Sequence, residues 1–169
     1  MASVLSNHST KIIGLDPGLQ KTGWGVISSA GNRLGYIAHG VIQTSSADDL
    51  SQRLFYLFEK LCEVIAFHEP DEAAVEEVFV NMNPLSTLKL GMARGIVLMA
   101  PGKFGMRVGE YATNRVKKAV VGVGHAGKEQ VSMMVQRLVS NCPIVTADAS
   151  DALAVAICHA HFRLLREIA

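Results

Sequence analysis

Apolar residues fall along the 169-residue chain in two distinct periods, and each predicts a different kind of element. Short continuous runs come first. Lys11 to Asp16 (KIIGLD) is stopped by Pro17-Gly18 and reads as a buried strand. Thr22 to Ser28 and Leu34 to Thr44 read as second and third strands, with a hairpin turn at Gly31-Asn32. From Asp48 the period lengthens. Leu50, Leu54, Leu57, Phe58, Leu61, Val64 and Ile65 recur at three and four, which predicts an amphipathic helix with Asp48 or Asp49 near its N-terminus. After Pro70-Asp71, Glu72 to Val80 predicts a fourth strand, and Leu85 to Met99 a helix ended by Pro101-Gly102. Arg107 to Tyr111 is a short strand. Ala112 to Val121 and Lys128 to Ser140 are predicted helices on either side of a glycine-rich loop. A last helix runs from about Ala147 to Glu167, with Thr146 as its N-cap.

Three strands followed by alternating helix and strand predict an α/β protein, with a mixed five-stranded sheet flanked by helices. That pattern fits a ribonuclease H-like fold. Residues 1–10 are polar and read as a flexible arm ahead of a single domain spanning 11–169. The arm has no apolar core of a secretion signal, and no apolar run approaches the roughly 18 residues of a membrane span. Cys62, Cys142 and Cys158 are odd in number and none has C-x-x-C spacing. This argues against a disulfide framework or a zinc knuckle, and for buried thiols in a reducing cytoplasm.

Net charge is only +1, but it is unevenly spread. Residues 1–85 carry five Lys/Arg against ten Asp/Glu, whereas residues 86–140 carry nine against two. A basic block in a mildly acidic chain attracts polyanions, although a solvated helical face would look the same.

Acidic residues on apolar elements carry the candidate chemistry. Asp16 ends the first strand, where ligands collect in α/β proteins, although Asp-Pro-Gly is also an ordinary turn. Glu76 and Glu77 interrupt an apolar strand. Alternation sends them to opposite faces, so at least one is expected to face protein, held by a salt bridge or a metal. Asp148 and Asp151 are three apart at the start of the last helix and share a face, where they would also suit the helix dipole. Oxygen-only clusters suit Mg²⁺ or Mn²⁺, and two such ions can clamp both sides of a phosphoryl transfer. With the basic block, these positions point to a nuclease.

Six stretches resemble the RuvC family of Holliday-junction resolvases, in order and spacing. They are Ile13 to Gly18 (IGLDPG), Thr22 to Gly25 (TGWG), Ala74 to Phe79 (AVEEVF), Leu88 to Gly95 (LKLGMARG), Val116 to Gly122 (VKKAVVG) and Ala147 to Ala154 (ADASDALA). The resemblance implies a ribonuclease H-like endonuclease that cuts four-way DNA as a homodimer and works with the RuvA–RuvB branch-migration machinery. It maps the catalytic, metal-binding acids onto Asp16, Glu76, Asp148 and Asp151, and so chooses Glu76 over Glu77. It also matches Phe79 to an aromatic associated with junction DNA, and Lys117 and Lys128 to residues implicated in DNA handling; Lys118 lies beside them. The chain stops soon after its last helix, so a DNA contact made by the longer tail of some relatives would be missing.

The expected mechanism uses two Mg²⁺ ions, with Asp16 shared between them and the lysines on flanking phosphates. Paired cuts need two active sites, and the apolar stripe of Leu88, Met92, Ile96 and Met99 is the expected dimer contact. Gly91 and Gly95 lie beside that stripe. Its competing role is packing on its own sheet. His125 and His159 are expected to be satisfied rather than catalytic. Three other functions fit parts of the chain. An RNA-processing YqgF-like nuclease shares the fold, a junction-binding module would not need the acids, and a sugar-kinase-like nucleotide binder lacks support from any G-x-x-x-x-G-K-[ST] loop.

Overall fold

The computed structural model describes residues 9–77, 82–143 and 146–168, apart from the side chains of 164–168. Phe79 and residues 1–8 of the expected arm therefore lie outside the described residues. Strands β1 (Thr10–Asp16), β2 (Lys21–Ala30) and β3 (Arg33–Gln43) form an antiparallel meander. Ala30 pairs with Arg33 across a two-residue turn, and Gly31 has φ 56° there. Only a residue without a Cβ adopts that conformation freely, which is why the hairpin turns at this glycine.

Helix α1 (Leu50–His68) begins at Asp49, whose backbone N–H is capped by the Gln52 side chain. It leads into β4 (Glu72–Glu76), which pairs parallel with β1. Helix α2 (Pro84–Lys103) then leads to β5 (Arg107–Tyr111), parallel to β4. Helices α3 (Thr113–Val121) and α4 (Lys128–Leu138) follow, then β6 (Val139–Ser140) and the long α5 (Ala147–Ile168). The Thr146 carbonyl accepts the bond from Ser150 N–H that starts α5.

Strand order is β5-β4-β1-β2-β3-β6, so the sheet has six strands rather than the expected five. The extra strand is the end of the segment read as one helix from Lys128 to Ser140. Val139 leaves the helix and pairs beside Leu34, where its side chain is fully buried. A two-residue strand carries too little periodicity to be read from sequence. Strand β4 ends at Glu76, and residues 78–80 of the expected strand lie outside the described residues. Helix α2 runs through Pro101 to Lys103 instead of stopping at it. Only two residues of helix remain beyond the proline, and Ala93, Val97, Ala100 and Pro101 form the buried face of α2, so packing outweighs the missing hydrogen bond. The helix ends at Lys103, with Phe104 as its C-cap and Gly105, whose φ is 67°, just after.

The sheet separates two apolar cores. Ile13, Leu15, Ala73 and Val75 face α1 and α2, while Ile12 and Ala74 face α3, α4 and α5. Helix α5 is apolar on nearly every side and is buried between the sheet and α3–α4, as such a helix must be. Glycines bring it unusually close. A Cβ on Gly14 would stand 2.1 Å from the Ala152 carbonyl oxygen, and one on Gly25 would stand 2.6 Å from Leu153 Cδ2. Among the described residues no helix is long and apolar enough to cross a membrane.

Candidate active site

Parallel pairing of β1 with β4 places Leu15 beside Val75, so Asp16 and Glu76 emerge next to each other at the same end of the sheet. Both lie on the α5 side, because alternation puts them on the face of Ile12 and Ala74. Helix α5 supplies Asp151, one turn in from its start at Ala147. A cleft of about 260 Å³ is lined by Asp16, Glu76 and Asp151, by Thr113 and Lys117 of α3, and by Lys128 of α4. Val116, Val131 and Ala154 form its apolar wall.

Burial and mutual repulsion both act on the acids of the cleft. Burial, then the carboxylates of Glu76 and Asp151, push the Asp16 carboxyl from an ordinary 3.8 up to about 8, against the opposing pull of Lys128. Burial also raises Glu76, whereas a hydrogen bond from Thr113 lowers it. Asp151 is raised by burial and lowered by Lys128. Three carboxylates driven together in a partly dry cleft are unfavourable on their own, and a cationic partner would offset that cost. Two lysines answer part of this charge. Lys128 Nζ lies 3.5 Å from Asp151 Oδ2, and Lys21 Nζ lies 3.9 Å from Asp148 Oδ2.

The sequence-predicted residues fall into distinct groups. Asp16, Glu76, Asp151, Lys117 and Lys128 share the cleft. Asp148 sits at its margin, 39% exposed, yet still adds to the field that raises Asp16. Lys118 is exposed on α3 and does not line the cleft. Glu77 lies just past β4, where its backbone N–H bonds to the Tyr111 carbonyl. Phe79 is outside the described residues. His125 is exposed, and His159 is engaged elsewhere: its ring nitrogens meet the Tyr111 hydroxyl at 2.9 Å and the Glu72 carboxylate at 2.8 Å.

Sequence reasoning missed Thr113, whose hydroxyl donates to Glu76 Oε1 at 2.5 Å. It also missed Lys21. Neither stands out by period or burial, because each meets its carboxylate only across elements distant in sequence.

The donor set is all oxygen and fits a hard divalent cation. Among the described residues no three His, Cys, Asp or Glu side chains are yet gathered into a coordination shell, and Lys128 and Lys21 hold the two α5 aspartates. A divalent cation would thus displace ammonium groups already drawn to these acids.

On α2, Leu88 (57%), Met92 (38%) and Met99 (50%) are exposed, whereas Ile96 is half-buried against the chain's own core. The stripe therefore does not pack on its own sheet, apart from Ile96. Gly91 and Gly95 have open space where a Cβ would stand, so no neighbour within the chain requires glycine at either position.

Residues 12–159 match the family described as "Crossover junction endodeoxyribonuclease RuvC". The protein of that name from Paramagnetospirillum magneticum is 60% identical over 153 residues, covering 90% of this chain and 92% of that one. Its counterpart from Paracoccus denitrificans is 57% identical over 151 residues, covering 89% and 92%. Among solved structures, Thermus thermophilus RuvC in complex with a Holliday junction substrate superposes with a TM-score of 0.86 at 30% identity, covering 93% of this chain and 96% of that one. The yeast mitochondrial Holliday junction resolvase shares the fold, with a TM-score of 0.68 at 11% identity. A ribonuclease H-like sheet, an acidic cleft at the shared end of its two central parallel strands and a family match over nearly the whole chain lead to one assignment: this chain belongs to the RuvC family of crossover junction endodeoxyribonucleases.

Proposed function

We propose that this chain resolves Holliday junctions in homologous recombination and repair, cutting two strands symmetrically and leaving 5′-phosphate ends that can be ligated. The observation that carries the reading is the cleft itself, where Asp16, Glu76 and Asp151 lie within reach of Lys117 and Lys128. Acids alone would repel DNA, and lysines alone would bind without cutting. Together they suit a phosphodiester held by ammonium groups over carboxylates that hold Mg²⁺.

Asp16, Glu76, Asp151 and Asp148 would hold two Mg²⁺ ions, with Asp16 central because Glu76, Asp151 and Asp148 all act on its carboxyl. When bound, such ions activate water and stabilise the leaving oxygen. The chain's own residues do the rest. Lys117 and Lys128 orient the phosphates, and Lys118, exposed one residue along α3, extends the basic surface outward. Val116, Val131 and Ala154 keep the cleft's inner wall dry, which strengthens every charge interaction within it.

Paired cuts require a two-fold dimer, and the exposed Leu88, Met92 and Met99 with the unshielded Gly91 and Gly95 support α2 as its contact. Such a dimer, acting on junctions delivered by RuvA–RuvB, would place one cleft on each of two like strands. The test is cleavage of four-way DNA beside structured RNA, by wild type and by Asp16→Asn and Glu76→Gln. We expect Mg²⁺-dependent, symmetric nicks in junction DNA alone, with both variants inactive but still binding. Cleavage of RNA in preference to junctions, or full activity of either variant, would overturn the reading.

A further inference from the structure

Helix α3 starts without a side-chain cap. Its N-cap is Ala112, which has no acceptor to offer the first turn. Thr113, the first helical residue, has a hydroxyl, yet it points to another element: it donates to Glu76 Oε1 at the end of β4, 2.5 Å away. Both residues line the acidic cleft. A β-branched side chain has few χ1 states, so Thr113 is a stiff donor on a stiff element. Glutamate, in contrast, has several rotatable bonds and would otherwise sample many positions among like charges.

We propose that Thr113 is a positioning residue for the divalent cation: its hydroxyl fixes the Glu76 carboxylate in the cleft before the ion arrives. The inference rests on the cation reading above and adds the residue that organises one of its ligands. Groups that hold a metal ligand in this way set affinity as well as orientation, and their removal commonly weakens binding 10- to 100-fold. Thr113 touches neither the ion nor the DNA in this scheme. Its effect therefore falls on the cation concentration needed, and leaves the rate at saturating cation largely intact.

Thr113→Val keeps the shape and removes the hydroxyl, Thr113→Ser keeps the hydroxyl, and Thr113→Ala removes it with a good helix former should valine disturb the fold. Mn²⁺ is titrated calorimetrically into each DNA-free protein, and junction cleavage is followed against Mg²⁺ concentration. Thr113→Val and Thr113→Ala should bind Mn²⁺ roughly 10- to 100-fold more weakly and need correspondingly more Mg²⁺, with the saturated rate within about threefold of wild type. Thr113→Ser should behave as wild type. Wild-type Mn²⁺ affinity in folded Thr113→Val and Thr113→Ala would overturn the role of Thr113 while leaving the cation reading intact. A serine variant as weak as alanine would overturn it too, since the hydroxyl would not be what matters. No Mn²⁺ binding by wild type would overturn the cation reading and this inference with it.

Discussion

Gly23 of β2 packs directly on the backbone of Asp148: a Cβ at Gly23 would stand 2.2 Å from the Asp148 carbonyl oxygen. That contact seats the first turn of α5 against the sheet. Gly14 does the same one turn further along, against Ala152. Gly23→Ala would have to push the helix outward, because the obstructing atom is backbone and cannot rotate away. Overpacking of this kind costs about 1–3 kcal/mol or more. It would also move Asp148 and Asp151 away from Asp16. Thermal melts should show a drop of several degrees, with junction cleavage falling further than the smaller folded fraction explains. A variant that melts and cleaves as wild type would mean that α5 is not held by this contact.

Asp16 makes the cation-free protein less stable as pH rises. Below its ordinary value of 3.8, the carboxyl is protonated in both folded and unfolded chains, and there is no cost. Between 3.8 and about 8 the unfolded chain gives up the proton while the folded chain keeps it, so folding is progressively disfavoured. Above about 8 the cost is complete. Asp16→Asn removes it, and in a chelator the variant should melt above wild type at pH 8, by several degrees or more. The gain should shrink towards zero near pH 4. Mg²⁺ should raise the melting temperature of wild type much more than that of the variant. Melting curves from pH 4 to 8, with and without Mg²⁺, check all of this; a gain that is independent of pH would point away from the Asp16 carboxyl.

The sheet's first three strands, the helix periods and the acidic positions as candidates were legible because each rests on a local pattern: alternation, a repeat of three and four, or a charge on an apolar element. What was not legible depends on contacts between distant segments. Val139 reads as helix by its neighbours and becomes strand only because Leu34 offers an edge. Pro101 reads as a stop, yet the burial of Val97 and Ala100 carries the helix past it. Alternation alone could not choose between Glu76 and Glu77; the family resemblance pointed to Glu76, and the structure puts Glu76 in the cleft. Thr113 and Lys21 look like ordinary polar residues until folding brings them to Glu76 and Asp148. Gly14 and Gly23 sit in strands, where glycine reads as a weakness, and only the approach of α5 gives them a purpose.

Lys117 and Lys128 should set affinity for DNA rather than choice of sequence. Lys128 is 74% exposed in side chain and Lys117 lines the cleft, so both can reach phosphates flanking the site. Removing one ammonium group that neutralises a phosphate should lower the slope of log affinity against log salt by roughly 0.9 on duplex arms. Lys117→Ala and Lys128→Ala should therefore weaken junctions of different sequence equally. Gel shifts across a salt series, in Ca²⁺ to hold the acids without cutting, give the slopes. An unchanged slope in both variants would place the DNA on another face.

The proposed dimer contact on α2 yields the last prediction. Leu88, Met92 and Met99 present apolar side chains to solvent along one side of the helix, while Ala93, Val97 and Ala100 on another side are buried in the chain's own core. Exposed methionine and leucine in a row are costly unless something covers them. Gly91 and Gly95, with nothing near their missing Cβ atoms, would let a second α2 approach closely. Helix-interior glycine costs up to about 1 kcal/mol against alanine, and among the described residues no neighbour accounts for that cost at either position. Ile96 is the wrong place to test the contact, because it is half-buried against its own core and a charge there would disturb the fold as well. Met92→Asp and Leu88→Asp put the charge on the outward side. Each should weaken a two-fold interface by roughly 2 kcal/mol or more, because the symmetry brings two like charges into one dry contact. Sedimentation should then give a folded monomer with an unchanged circular dichroism spectrum. Such a monomer keeps its cleft, so it should still nick junction DNA slowly, but the two cuts should become independent rather than paired. A plasmid-borne cruciform separates the outcomes, since paired cuts linearise it and single cuts only relax it. If Met92→Asp and Leu88→Asp remain dimers and still linearise the plasmid, α2 is not the contact.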